Sequence, residues 1–213
     1  SANLERKYGE SSDNSFLTDW KNVTVDRMRN WGFTSLGNWT DPMFYDNAKI
    51  PFFANGWVIG GYKTVSSGND FWSPMPDVFD PEFARRAEVS VKQVAEEVNG
   101  SPWCVGVFID NEKSWGRAGS RSNELGIVIN TLTRDGKDSP TKAKFTQVMR
   151  DKYGDINKLN QAWGTNVTSW LAFDQGKFDS SLKNDVQDGD YGHLLYVYAQ
   201  QYFKIVSSKL KQY

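Results

Sequence analysis

The chain is expected to fold as an α/β protein, and three observations lead there. Helical stretches alternate with short apolar runs. One of those runs, Cys104–Ile109, is continuously apolar, as in a parallel strand covered on both faces. Each run ends at its C-terminal tip in polar groups: Asn38, Asn55, then Asp110 to Glu112. In α/β barrels that end of the strands carries the active site, so the pattern points to a (β/α)8 architecture of the TIM-barrel type. A complete barrel needs about 250 residues, or roughly 31 per unit. The chain has 213 residues and shows only three such runs. Either further strands go unrecognised, or residues 1–213 form one partial barrel domain.

A first helix is expected near Asn3 to Tyr8 and a second near Leu17 to Asn30, with Trp20, Val23 and Met28 on one side and Gly32 as the stop. Phe33 to Trp39 reads as a short strand, and Ile50 to Asn55 as another. From Gly56 to Asp77 no periodic pattern holds; so long an ordered loop is usually functional. Asp80-Pro81-Glu82 opens a clear helix, with Asp as cap and Pro in the first position. Phe83, Ala87, Val91, Val94 and Val98 continue it to Asn99-Gly100. After the Cys104–Ile109 strand a second polar loop is expected to about Ser139. Helices follow over Pro140–Tyr153, Asp155–Trp163 and Tyr191–Lys211.

Composition narrows the function. Lys and Arg total 25 against 26 Asp and Glu, which argues against nucleic acid and anionic membranes as partners. No apolar run approaches the roughly 18 residues of a membrane span, and the polar start reads as no signal peptide. One Cys and one His exclude a disulfide framework and a Cys/His zinc site. No nucleotide-binding glycine pattern follows a strand, so no cofactor is expected. The 13 Phe, 9 Tyr and 9 Trp suit either an aromatic core or a surface that grips a semi-polar ligand such as a sugar.

The run Val107-Phe108-Ile109-Asp110-Asn111-Glu112 is the sharpest chemical signal. An apolar strand delivers three polar side chains at its exit. Glu112, partly buried against Trp115 or Trp103, could act as a general acid, and Asn111 could bind a sugar hydroxyl. The same residues could also simply open a turn.

The segment Gly106 to Gly116 (GVFIDNEKSWG) resembles the acid/base motif of the β-agarases of glycoside hydrolase family 50, members of a clan of retaining glycosidases. The segments Asn3–Gly9, Arg29–Trp39 and Leu159–Thr165 are similar to the same family. The resemblance implies that Glu112 is the acid/base and that Asn111, with Asp110 beside it, binds substrate. It implies that Asn38 and Trp39 line the sugar cleft. Trp57, Trp72 and Trp115 are stacking candidates by loop position. The substrate implied is agarose or a related galactan oligosaccharide, cleaved at β-1,4 linkages, with secretion or a periplasmic location. The clan's nucleophile is a second Glu at a later strand, yet Glu124, in a loop, is the only Glu after Glu112. The resemblance thus implies only the N-terminal half to two-thirds of the barrel, with half of the catalytic pair expected outside these residues, in the remainder of the same barrel or another chain. A β-galactosidase-like activity of the same clan, a non-catalytic carbohydrate-binding remnant and an unrelated metabolic α/β enzyme are the alternatives.

His193 reads as structural, Cys104 as a buried core thiol, and the Asp-rich stretch 179–190 as a solvated loop rather than a Ca²⁺ site.

Overall fold

A computed structural model describes residues 2–9 and 16–213. They divide into two compact units. The first comprises residues 1–57 and 90–110, the second residues 58–89 and 111–213.

In the first unit, helices α1 (Ala2–Tyr8) and α2 (Phe16–Asn30) lead into a 3-10 turn (Pro42–Phe44) and strand β1 (Phe52–Gly56). Gly32, at φ +84°, closes α2: Phe33 N–H donates back to the Met28 carbonyl, leaving Gly32 in the left-handed conformation such a cap requires. The expected strand over 33–39 is reduced to one parallel bridge, Leu36 to Phe52. The last half of α3 (Pro81–Val98) and strand β4 (Cys104–Ile109) complete the unit. β1 and β4 are parallel, paired from Phe52↔Cys104 to Gly56↔Ile109 with a register shift between Phe52 and Phe53. Val25, Leu36, Ile50, Phe52 and Val94 form the core, and Tyr45 stacks on Phe52 at 4.5 Å between ring centres.

Two expectations need correcting here. β4 is not covered on both faces: Val105 is 55% exposed and Phe108 44%. Cys104, Val107 and Ile109 pack against the core, while Val105, the extra residue at the register shift, and Phe108 do not, because a sheet face is buried only where a second layer lies against it. Cys104 packs against the core as expected but is half-buried rather than fully enclosed.

The second unit contains the short antiparallel pair β2 (Thr64–Val65) and β3 (Met75–Pro76), which interrupts the expected 56–77 loop. Asp80 caps α3 as expected, accepting from Glu82 N–H at 3.1 Å. The expected loop to Ser139 holds two helices, α4 (Arg121–Glu124) and α5 (Gly126–Leu132). The seven residues of α5 are shorter than a periodicity window can resolve. Then come α6 (Pro140–Tyr153), α7 (Ile156–Trp163), α8 (Trp170–Asp174) and α9 (Asp185–Leu210). α9 starts six residues before the expected Tyr191. Asn184 caps it by accepting from Gln187 N–H, and Asp185 and Asp188 suit the positive end of the helix dipole. The Asp-rich stretch is therefore half helix, and Asp179, Asp188 and Asp190 have side-chain partners. Asp179 pairs with Lys183, and Asp188 with Arg121. Buried Asp190 accepts from Trp163 Nε1 at 2.7 Å, Tyr153 Oη at 2.6 Å and Lys152. His193 lies inside α9, exposed. Among the described residues, no helix is long and apolar enough to cross a membrane.

One buried carboxylate ties this unit together. Asp77, fully buried after β3, accepts from Ser139 Oγ at 2.6 Å, Thr141 N–H at 2.8 Å and Thr141 Oγ1 at 2.6 Å. Those donors lie at the start of α6, where a negative charge is favoured. Asp77→Asn is expected to lower unfolding free energy by about 2–3 kcal/mol, the range of a buried hydrogen bond to a charged group. A shift of the urea midpoint with unchanged slope would register it. An unshifted midpoint would mean the tie is dispensable.

Candidate active site

β4 ends at Ile109, and Asp110 N–H still donates to the Gly56 carbonyl at 2.8 Å, extending the ladder by one residue. The backbone then turns sharply. Asp110 sits at φ +59° and Glu112 at φ +48°, both outside the regions that non-glycine residues favour. Strained backbone of this kind concentrates where a chain must aim side chains at a ligand.

In the second unit Glu112 borders a cavity of about 480 Å³, within the range of small-molecule sites. Trp72 and Trp115 line the same cavity, so three of the sequence-derived site residues come together there. Trp72 is 66% exposed. Trp115 is half-buried because α9 holds it: Phe203 stacks on it at 5.7 Å and 11°, and Tyr198 and Tyr202 meet it edge-on at 5.9 and 5.4 Å. Tyr198 is itself fixed, donating from Oη to the Pro76 carbonyl at 2.6 Å. Glu112 is exposed, not enclosed by a tryptophan as the sequence suggested. It stands in a bend on the rim, where water still reaches its carboxyl group.

The cavity also takes in Asn69 and Phe71, which sequence reasoning missed. The signal was present: Gly68-Asn69-Asp70-Phe71-Trp72 lies in the patternless stretch. Attention to Trp alone passed over the Phe beside it.

The remaining sequence-derived residues belong to the first unit, apart from Asn111, which opens the second and is half-buried. Asn38 and Trp39 line a cavity of about 390 Å³ with Met28, Phe33 and Phe44. The Oδ1 atom of Asn38 is buried and has no hydrogen-bond partner among the described residues. Such an acceptor is costly unless a ligand or water satisfies it. Trp39 is at φ +71°, an outlier for a bulky side chain. Trp57 packs against it, ring centres 5.2 Å apart. Asn55, the other polar strand end, is engaged: its Nδ2 donates to the Thr40 carbonyl at 3.1 Å. Among the described residues, no group of three or more His, Cys, Asp or Glu is placed to hold a metal ion.

No family model matches the chain. Over 99% of its length it is 44% identical to β-agarase B of Vibrio sp. (strain JT0107), of which it spans 22%. Over 90% of its length it is 37% identical to β-agarase A of the same strain, of which it spans 20%. A solved exo-β-agarase structure superposes with a TM-score of 0.95 at 56% identity, over 99% of this chain and 28% of that one. The crystal structure of the agarase AgWH50C gives 0.91 at 52% identity, over 99% of this chain and 30% of that one. The chain thus spans about a fifth of the curated relatives and under a third of the solved chains. Over nearly its whole length, in sequence and in mixed helix-and-sheet fold, this chain is a homologue of one segment of the β-agarases.

Proposed function

We propose that the chain supplies part of the catalytic domain of a retaining glycoside hydrolase that cleaves β-1,4 linkages in agarose. The observation that carries this reading is the cavity in which Glu112 meets Trp72 and Trp115, in a homologue of β-agarases. Glu112 is the acid/base. It gives its proton to the glycosidic oxygen as the C–O bond breaks and a carboxylate nucleophile bonds the anomeric carbon. It then takes a proton from water as that water releases the sugar and frees the nucleophile. Asp110 and Asn111 flank it as substrate-binding residues. In the first unit, Asn38, Trp39 and Trp57 contact sugar, and the unpartnered Asn38 Oδ1 supports that role.

The nucleophile lies outside these residues. In support, Glu112 is the only carboxylate among the described residues lining its cavity. A part-barrel is the matching architecture: β1 and β4 are parallel, α3 lies in the connection between them, and β4 leaves Val105 and Phe108 exposed. Export to where agarose is found belongs to the same proposal. The missing second carboxylate also favours one other reading, a sugar-binding segment without chemistry.

Native mass spectrometry paired with reducing-end release from agarose and from a simple galactoside tests the proposal. A lone 24.2 kDa chain should bind agaro-oligosaccharides without hydrolysing them. Hydrolysis of agarose in preference to the galactoside should appear only in a heavier species containing a second carboxylate. Activity of the lone chain would contradict the missing nucleophile. Heavier species that bind but never hydrolyse would favour the non-catalytic reading.

A further inference from the structure

We propose that Phe71 is a substrate-contacting, specificity-determining residue: with Trp72 it forms a preassembled aromatic platform for the C–H face of a galactopyranose unit bound beside Glu112. The inference rests on the glycoside hydrolase reading and adds a residue and a ring face to it.

Phe71 is 80% exposed and Trp72 66%. Their rings meet edge to face, 4.9 Å apart at 79°. Two adjacent large aromatics standing in water forgo the stabilisation that burial would give, which marks such a patch as a contact surface. Both line the cavity that Glu112 borders.

The platform is held before any ligand arrives. Its loop is closed by side-chain bonds to backbone: Ser67 N–H donates to Asp70 Oδ1 at 3.0 Å, and Gly68 N–H to Ser66 Oγ at 3.0 Å. The loop also rests directly on α5. A Cβ on Gly126 would lie 1.9 Å from the Ser67 carbonyl oxygen, so only glycine permits that seat. A fixed platform avoids much of the ordering cost of binding.

The chemistry of the ligand follows from the ring it must take. The axial O4 of galactose leaves the C3, C4 and C5 hydrogens together on the opposite face. That face is a continuous apolar patch suited to an aromatic ring. Glucose, with O4 equatorial, lacks it. Half-buried Asn69, on the same cavity wall, can exchange hydrogen bonds with ring hydroxyls.

The test is titration of the 213-residue chain with agaro-oligosaccharides and with β-1,4-gluco-oligosaccharides, by calorimetry. Phe71→Ala should weaken the galactan ligand roughly tenfold, the loss of one partly buried aromatic contact, and Phe71→Tyr should restore it. Unchanged circular dichroism would confirm that an exposed substitution leaves the fold intact. Equal galactan affinity in wild type and Phe71→Ala would overturn the inference and leave the agarase reading standing. Binding of glucans in preference to galactans, still lost in Phe71→Ala, would overturn the agarase reading and the galactose assignment while keeping Phe71 as a sugar contact. No binding of either ligand by the wild type would overturn both.

Discussion

Glu112→Gln is expected to lower agarose hydrolysis by about 10²–10⁴-fold, the span typical of a lost general acid/base, in any preparation that hydrolyses agarose. Gln keeps the size and the hydrogen-bonding reach of Glu, so agaro-oligosaccharide affinity should stay within about twofold, as for a group whose proton matters only in the transition state. The loss should depend on the leaving group. An alkoxide of a sugar needs a proton to depart, whereas a nitrophenolate does not. A nitrophenyl galactoside should therefore form the glycosyl-enzyme almost normally in the variant and stall at the water step. An added anionic nucleophile such as azide should relieve that stall, because it attacks without base assistance. Equal losses on both substrates, with no azide effect, would remove Glu112 from the acid/base role. Because the side chain is exposed, the substitution tests chemistry rather than folding.

What marks Glu112 as a candidate in the sequence is a contrast of physical types along a few residues. Val107 to Ile109 form an apolar strand, and three polar side chains follow at once. Trp72 and Trp115 stood out as candidates because they are large aromatics in loops, and both line the cavity of Glu112, but Trp115 also has a structural role, packed on α9 by Tyr198, Tyr202 and Phe203. The exposure of Glu112 was not legible. Burial depends on what folds against a residue from elsewhere in the chain, and no local pattern records it. The unpartnered oxygen of Asn38 and the positive φ of Trp39 were hidden for the same reason.

The same division runs through the fold. α3 was readable to within a residue, because Asp80 and Pro81 mark its start chemically and its apolar positions recur over 18 residues. β4 was readable as a strand, yet its covered face was not, since Val105 and Val107 would share a face in a regular strand and are set apart by a register shift that no local pattern records. β2 and β3 have two residues each and owe their pairing to tertiary context. The start of α9 was concealed by Asp185, Asp188 and Asp190, which look like loop acids until the Asn184 cap and the partners of Asp188 and Asp190 are known. The part-barrel read from the strand ends goes beyond what the described residues form, a two-stranded parallel sheet with one added bridge and a separate two-stranded antiparallel pair.

Lys142→Met is expected to stabilise the chain, contrary to the usual outcome of a core substitution. Lys142 lies in α6, fully buried, and its Nζ has no hydrogen-bond partner among the described residues. Burial lowers its pKa to about 7, against the opposing pull of Asp174 and then Asp135. The folded chain thus binds fewer protons at this site than the unfolded chain between about pH 7 and the usual lysine value, so stability must rise with pH across that window. Below pH 7 both states carry the charge and the full penalty applies, about 5 kcal/mol for a shift of this size. The faces of Phe173 and Phe178, 4.1 and 5.2 Å from Nζ, favour the charged form and so act with the two carboxylates against burial. With a folded pKa of about 7, the linkage integrates to a climb of about 3 kcal/mol in wild-type stability from pH 7 to 9.5, read in urea titrations. Lys142→Met, filling the same space without the charge, should be more stable at pH 7 and nearly flat over that range. Above pH 10 the sign reverses for both proteins. Buried Tyr191 and Tyr198 have raised pKa values and hold their protons longer in the folded state, so further alkali favours unfolding. The difference between the two curves isolates the lysine. A less stable Lys142→Met with the wild-type pH slope would mean that the two phenylalanine faces, not the burial, dominate at this site.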